Sequence, residues 1–457
     1  PVKSIMRKDG GFQNLPLSFR PHPFQIVVTL RPHMPMVFTV LWYTEERGYM
    51  KAEYLSSDFT SISSLSQLDD ALFALFCYHK ILIVDTPVVG NSKYHWAVPS
   101  RYFGKLPTHF PKYGYKLHIS IGLDQVFQVF NSVIPLLLDE KVYFKCACSG
   151  SMIAMLNAGF LGLTQVGKCI TVYPSSFELF KSLCSVLSKR TTGFVGPVVP
   201  SDYSVPNSKC LYYRYGEFIS STQPDSRLPG GAIPAGVNDP FPEMNHHIPP
   251  AKKDKIQLIA NRFFIFDVLR QRGKGGVYKA YDFDQRGSKD ERPFPVVLKE
   301  GRRYGERDLN GRDAQDRLKQ QAYVLQKLKA SPYFAQCFAF VEGEQRSFLS
   351  MTYFAEYKSL GTRIRSGERP KKSRIMCMLN QVVKALDQLH EEGFAWNDLS
   401  SDNILIDDQW NNVRISDVEE ASCCNDLRIP QVCTPGFSIA SDVPIEAWKQ
   451  DVYALHQ

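Results

Sequence analysis

Four residues in the second half of the chain have the types and spacing that phosphoryl transfer to a hydroxyl needs. In WNDLSSDNILID, Asp398 can accept the hydroxyl's proton, and Asn403, five residues on, can hold a magnesium ion. In VRISDVEE, Asp417 follows the alternating stretch Val413–Ile415 and offers a second oxygen ligand for Mg2+. Upstream, VVLKE ends an apolar strand on Lys299, where an ammonium can grip the α- and β-phosphates of ATP or GTP. Gly275 and Val277, in RGKGGVY, are further candidates for binding the nucleotide. Each match alone is common; four in the same order and register are not an accident of composition.

A second set lies in the first half. YKLHISIG alternates, so Lys116 and His118 project from one face of a strand. VYFKCACS reads as another strand and carries Lys145; GKCITVYP carries Lys168; the aromatic-rich KCLYYRYG carries Arg214. One imidazole among displayed cations suits elimination of phosphate from a phosphorylated side chain. That reaction needs a base for the weakly acidic Cα proton, and a lysine serves if neighbouring cations and burial depress its pKa. It needs an acid for the departing phosphate, and cations to hold the dianion. The assignment is Lys145 as base, His118 as acid, and Lys116, Lys168 and Arg214 as phosphate clamp. Lys-x-His on a strand is also the pattern of a solvent-facing edge; the phosphoryl-transfer set in the same chain gives it meaning, because a phosphorylated side chain is what such a site would consume.

Strands and helices must position these groups. In the first half, Gln25–Leu30 and Lys80–Val84 read as strands, and Leu65–Cys77 and Phe177–Ser188 as amphipathic helices. Between Gly216 and about Lys255 the chain is dense in Pro, Gly, Ser and Asp without periodicity, which marks a connection. Beyond it a strand-rich stretch, Asn261–Glu300, precedes a helix over Asp313–Lys329, strands from Cys337 to Tyr353 and a long helix over Ser373–Glu391. The expected fold class is α+β and multidomain: 1–215, a linker at 216–258, and 259–457.

Composition sets limits. The 457 residues are 44% hydrophobic and carry a net charge of +8, which suits anionic ligands such as nucleotide phosphates or an acidic peptide. No zinc-finger spacing, recognition helix or long basic tract points to nucleic acid. No apolar run reaches membrane-spanning length, since Ala71–Val89 is broken by His79, Lys80 and Asp85. Eleven scattered cysteines read as reduced thiols of a cytosolic enzyme. The chain opens at Pro1 without Met or signal sequence, so an earlier start is expected.

The second half resembles a divergent protein kinase. Arg270 and Arg272 stand where the glycine-rich loop should have glycine, Trp396 and Asn397 replace the His-Arg of H-R-D, and Asp417-Val418-Glu419 replaces D-F-G. In RDAQDRLKQQAYVLQKL the position that should pair an acid with Lys299 is Gln321. CTPGFSIASD resembles a substrate-binding segment ending in a degraded A-P-E at Ala440, Ser441 and Asp442. Several further large-lobe helices are expected after DVYALH.

Over nearly its whole length the chain resembles the lyase and kinase portions of class III lanthionine synthetases, without the cyclase. The first half is similar to phosphothreonine lyases of bacterial effectors in Lys116, His118 and Lys145, and to the synthetases in Gly167–Pro174 and Tyr213–Gly216. The second half is similar in Gly275–Tyr278, Gly311–Ala314 and Ser400–Asp407. The resemblance implies a phosphothreonine-lyase-like domain, then a bilobal kinase whose large lobe is cut short. It also implies a bacterial cytoplasmic enzyme that uses ATP or GTP with Mg2+ to dehydrate Ser and Thr of a ribosomal precursor peptide. A C-terminal cyclase would then form lanthionine or labionin, and without it class III and class IV read alike. The family's arginine ahead of the Gly-Lys segment is missing here, leaving Lys168, Arg214 and Arg101 to compensate. The alternatives are a regulatory Ser/Thr kinase with an N-terminal sensor, which gives Lys145 and His118 no role, and a pseudokinase scaffold, which Gln321 favours.

Overall fold

The computed structural model describes residues 62–86, 94–102, 110–218, 233, 236–244, 258–286, 293–429, 437–439 and 444–457, with the backbone of two short strands, β1 (Gln25–Val28) and β2 (Val40–Tyr43). The first large unit is a seven-stranded sheet of β3 (Ile81–Thr86), β4 (Tyr94–Pro99), β5 (Tyr113–Ile119), β6 (Tyr143–Ala147), β7 (Ile170–Tyr173), β8 (Tyr203–Ser204) and β9 (Leu211–Glu217). The spatial order is β3-β4-β6-β7-β5-β9-β8, and every neighbouring pair is antiparallel. Alternation decides the faces: Tyr115, Leu117 and Ile119 of β5, with Phe144 and Cys146 of β6, turn into the core and are buried.

Helices α1 (Leu65–Tyr78), α2 (Val126–Asp139), α3 (Gly150–Ala158) and α4 (Phe177–Arg190) supply the rest of that core. Ser64, Ser149 and Ser176 cap α1, α3 and α4 by accepting from the backbone N–H three residues on. Part of the Pro/Gly-rich connection lies on this unit: Ile233, Val237 and Phe241 pack against its core. The Asn238 carbonyl accepts from the Tyr115 hydroxyl.

The second unit begins with an antiparallel sheet of β10 (Phe263–Arg272), β11 (Gly275–Arg286), β12 (Pro293–Arg302), β13 (Cys337–Val341) and β14 (Arg346–Thr352), ordered β10-β11-β12-β14-β13. Helix α5 (Ala314–Lys327) packs on β12, β13 and β14, its start fixed by a capping box between Asp313 and Asp316. A mainly helical part follows, with α6 (Leu360–Arg365), α7 (Lys372–Glu391) and α8 (Ala447–His456). It also holds a small sheet of β15 (Tyr357–Ser359), β17 (Ile404–Asp407) and β18 (Val413–Ile415), and a two-residue strand β16 (Phe394–Ala395). The molecule is thus a multidomain α+β protein with a kinase-like second domain.

The two units touch through the segment between β12 and α5. The Arg307 guanidinium makes a bidentate contact with Asp124, with N–O distances of 2.9–3.0 Å, and the Leu123 N–H donates to the Arg307 carbonyl at 3.0 Å. Asp124 lies five residues beyond the end of β5, the strand that carries Lys116 and His118. Among the described residues no helix is long and apolar enough to cross a membrane, and all ten described cysteines are unpaired.

Candidate active sites

Sheet register brings the first set of residues together. Lys145 of β6 lies opposite Thr171 of β7, Thr171 opposite His118 of β5, and His118 opposite Tyr212 of β9. These four form one row, and directly opposed residues of antiparallel strands share a face. Two strand spacings separate the Cα atoms of Lys145 and His118, roughly 10 Å, which two long side chains can bridge above Thr171. One pleat along β5, Lys116 lies opposite Arg214 on the same face. The Lys116 ammonium stands 5.5 Å from the centroid of Tyr173. Arg214 is buried and makes no ion pair with a described residue. Lys145 leans the other way along its row, its ammonium 4.1 Å from the Trp96 ring centroid.

Lys168 is not on a strand; it sits two residues before β7, buried, and its ammonium reaches Asp202 Oδ1 at 3.2 Å and the Ser201 hydroxyl at 2.9 Å. The other Asp202 oxygen is hydrogen-bonded to His118 Nδ1. This Lys168–Asp202–His118 chain was not visible in the sequence, because Asp202 lies 84 residues from His118 and nothing in PSDYS marks it. Ser201 braces Asp202 at 2.7 Å. Arg101 donates to the Leu138 carbonyl at 2.9 Å, at the end of α2.

Burial governs the charge of this centre. It pulls His118 down from 6.5 to about 4; the Asp202 carboxylate pushes it up but does not compensate, and Lys168 and Lys116 pull it further down. Burial alone would raise the Asp202 carboxyl, but His118 and Lys168 hold it well below the carboxylate range. The free site therefore holds a neutral imidazole whose Nδ1 faces an ionised carboxylate. That carboxylate fixes the ring and favours the tautomer in which Nδ1–H donates to Asp202, leaving Nε2 without a proton. A stability consequence follows. Below pH 6.5 the unfolded chain protonates His118, whereas the folded chain resists until about 4, so folding stability falls as pH drops through that window. Denaturant unfolding should lose about 2 kcal/mol from this group between pH 7.5 and 5. His118→Asn, which keeps a donor to Asp202 without a titrating ring, should show a correspondingly flatter profile, and equal slopes in both proteins would contradict this.

The second set also converges. β12 delivers Lys299, which lies opposite Val277 of β11. Its ammonium is 2.7 Å from Asp417 Oδ2 and 2.9 Å from Gln321 Oε1 on α5. Gln321 thus occupies the partner position with an amide; it is fully buried, and its Nε2 has no hydrogen-bond partner among the described residues. Gly275 has φ +147°, and a Cβ there would fall 1.9 Å from the Glu300 carbonyl oxygen, so only glycine permits this crossing.

Asp398 and Asn403 flank the cleft on the other side. Asn403 Nδ2 donates to Asp398 Oδ2 at 2.8 Å and to the Asp398 carbonyl at 2.9 Å. Burial, then the charges of Asp417, Glu419 and Glu420, raise the Asp398 carboxyl to about 7 against the hydrogen bond from Asn403. The loop is braced from α8: the fully buried Asp451 accepts the N–H groups of Trp396 at 2.6 Å and Asn397 at 2.7 Å. Asn397 takes a left-handed conformation, φ 64°, which asparagine tolerates. The Trp396 indole donates to the Asp417 carbonyl at 2.6 Å, tying the two acidic segments together. Ala440, Ser441 and Asp442 lie outside the described residues.

The oxygens here suit a hard cation. Asn403 spends its Nδ2 on Asp398, which leaves its carbonyl oxygen, and Asp417 adds a carboxylate. Among the described residues no three His, Cys, Asp or Glu side chains cluster as a metal cage. One carboxylate, one amide oxygen and the nucleotide's own phosphates are how Mg2+ is commonly held.

Residues 93–252 match the family described as RamC, N-terminal domain, and residues 267–437 match the protein kinase domain. No curated protein matches closely enough to count as a relative. The first match spans Lys116, His118, Lys145, Lys168 and Arg214, and the second spans Lys299, Asp398, Asn403 and Asp417. A RamC-like N-terminal domain followed by a protein kinase domain is the architecture of this chain, consistent with that of a class III lanthipeptide synthetase.

Proposed function

We propose that the chain dehydrates Ser and Thr residues of a ribosomally made precursor peptide by phosphorylating them and then eliminating phosphate. The observation that carries the reading is the register of the first sheet, which sets Lys145 and His118 in one row and Lys116 beside Arg214 in the next, in a chain that also bears a kinase domain. The domains of this reading are 1–215 for elimination, 216–258 as connection and 259–457 for phosphorylation.

In the first step Asp398 takes the proton of the peptide hydroxyl as that oxygen attacks the terminal phosphorus; the bond from that phosphorus to the bridging β-phosphate oxygen breaks, the nucleoside diphosphate leaves, and Lys299 holds its phosphates. Asn403 and Asp417 would hold Mg2+, which would supply charge neutralisation on the phosphates. In the second step Lys145 swings from Trp96 and removes the Cα proton. The electron pair forms the Cα–Cβ double bond, the Cβ–O bond breaks, and His118 delivers a proton to the departing phosphate. Lys116 and Arg214 grip the dianion, and Lys168 adds charge from behind His118 while holding Asp202. The imidazole is neutral in the free site. The arriving dianion favours its protonated form, so the substrate helps create the acid that its own departure uses. The products are dehydroalanine or dehydrobutyrine and inorganic phosphate; cyclisation would belong to a partner or further domain.

A phosphoserine peptide incubated with the full chain and no nucleotide should release inorganic phosphate, and His118→Ala should stop the release. No release by folded wild-type protein across several peptide sequences would leave a kinase with an N-terminal sensor. Gln321 and its unsatisfied amide favour a second reading, a pseudokinase scaffold. MgATP would then raise the melting temperature without any phosphate reaching a peptide. In the enzyme reading Gln321→Ala should weaken MgATP binding about tenfold, roughly 1.5 kcal/mol, because Lys299 loses its α5 tether. Unchanged affinity by calorimetry would deprive Gln321 of that role.

A further inference from the structure

The tip of the β10–β11 hairpin carries a lysine that the phosphate grip of Lys299 leaves out, and its placement is fixed from two sides. On one side the tip abuts the first domain. The Gly273 N–H donates to the Ala158 carbonyl at the end of α3 at 3.0 Å, and a Cβ on Gly273 would fall 1.7 Å from the Asn157 carbonyl oxygen. Any other residue at 273 would push the hairpin away from α3. On the other side the Arg302 N–H donates to the Lys274 carbonyl at 2.8 Å, and a Cβ on Gly305 would lie 3.0 Å from Lys274 Cα. The backbone of Lys274 is thus wedged between α3 and the segment leading to α5.

Its side chain runs inward. Lys274 Nζ is ion-paired with Glu419, two residues past Asp417. The other oxygen of that carboxylate is 3.8 Å from Lys299 Nζ, which also meets Asp417 at 2.7 Å. Two ammonium groups, one from the hairpin tip and one from β12, therefore converge on the Asp417–Glu419 segment. In a kinase the space under the glycine-rich hairpin is where the outer phosphates of the nucleotide lie. An ammonium on a flexible stem is a strong point-charge ligand for phosphate.

We propose that Lys274 is a ligand for the outer phosphates of the nucleotide, parked on Glu419 until they enter, with its aim set by α3 of the N-terminal domain. The proposal rests on the kinase reading of the second domain. When phosphates enter, Lys274 exchanges one anionic partner for another, and Glu419 retains Lys299 nearby, so Glu419 is not left without a cation. The hairpin tip is thereby referenced to α3 of the N-terminal domain.

Calorimetric titration of the full chain with MgATP (or MgGTP, whichever wild type binds more tightly) and with the matching nucleoside tests this. Lys274→Met should weaken triphosphate binding about tenfold or more while the nucleoside, which also reports an intact cleft, stays within about twofold. Lys274→Arg should recover most of the loss, and Gly273→Ala should lower triphosphate affinity in the same direction. Unchanged or tighter triphosphate binding by Lys274→Met would make the lysine a mere latch and overturn the proposal. An equal loss for triphosphate and nucleoside would make it structural and overturn it too. Failure of wild type to bind any nucleoside triphosphate would instead sink the kinase reading, and this proposal with it.

Discussion

Lys145→Ala is expected to stop phosphate elimination while phosphoryl transfer continues, so that phosphorylated peptide accumulates in place of dehydrated product. The expected loss in elimination rate is at least about 10³-fold, the upper part of the range for a positioned general base. Two observations make Lys145 the candidate. It shares a row with His118 across Thr171, so base and acid approach one substrate from the same face. It also stands against the buried Trp96, its ammonium 4.1 Å from the ring centroid, on the side of the sheet that carries His118. Mass spectrometry of a phosphopeptide incubated with the variant reads the result directly, and undiminished dehydration would remove Lys145 from the role of base. Asp202→Asn offers a graded comparison: it should slow elimination by orienting His118 less well, and its activity profile should shift to lower pH. The reason is that the carboxylate is the chief group pushing His118 up against burial.

Asp398→Asn is expected to abolish phosphoryl transfer, by about 10²-fold or more, and yet spare elimination from a peptide that arrives already phosphorylated. The two centres lie in units with separate hydrophobic cores, which touch near Arg307, Asp124, α3 and the hairpin tip. The substitution keeps the side chain's volume and its hydrogen bond with Asn403 while removing the carboxylate's capacity to take a proton. Paired assays, one with MgATP and a Ser-containing peptide and one with a phosphoserine peptide alone, separate the steps. A folded variant that failed in both would refute independent centres.

How much of this was legible in the sequence differs between the domains. That Asp398, Asn403 and Asp417 lie together was readable because they are spaced along one short segment. The partner position at Gln321 was readable for the same reason: it lies on a periodic helix ahead of Val324 and Leu325. Strand alternation correctly put Lys116 and His118 on one face. Their meeting with Lys145 depends on a sheet order, β6-β7-β5-β9, that alternation within single strands does not encode. Asp202 escaped because it precedes a two-residue strand and acts across 84 residues. The sequence reading also names no helix at Val126–Asp139, a run of Val, Phe, Ile and Leu interrupted by Pro135 that local preference would make a strand. Burial of Val126, Val129, Phe130, Val133 and Leu137 along one stripe overrides that preference. Lys274 had no local signal, since it acts through a carboxylate partner brought in by tertiary packing.

The central claim is that the N-terminal sheet eliminates phosphate rather than hydrolysing it, and the organic product decides between them. A phosphoserine peptide should be incubated with the full chain without nucleotide, treated with a small thiol, and the product mass determined. The account predicts dehydroalanine, lighter than the serine peptide by one water and trapped by the thiol. A product with the mass of the unmodified serine peptide, inert to thiol, would mean hydrolysis, and would contradict the roles given to Lys145 and His118.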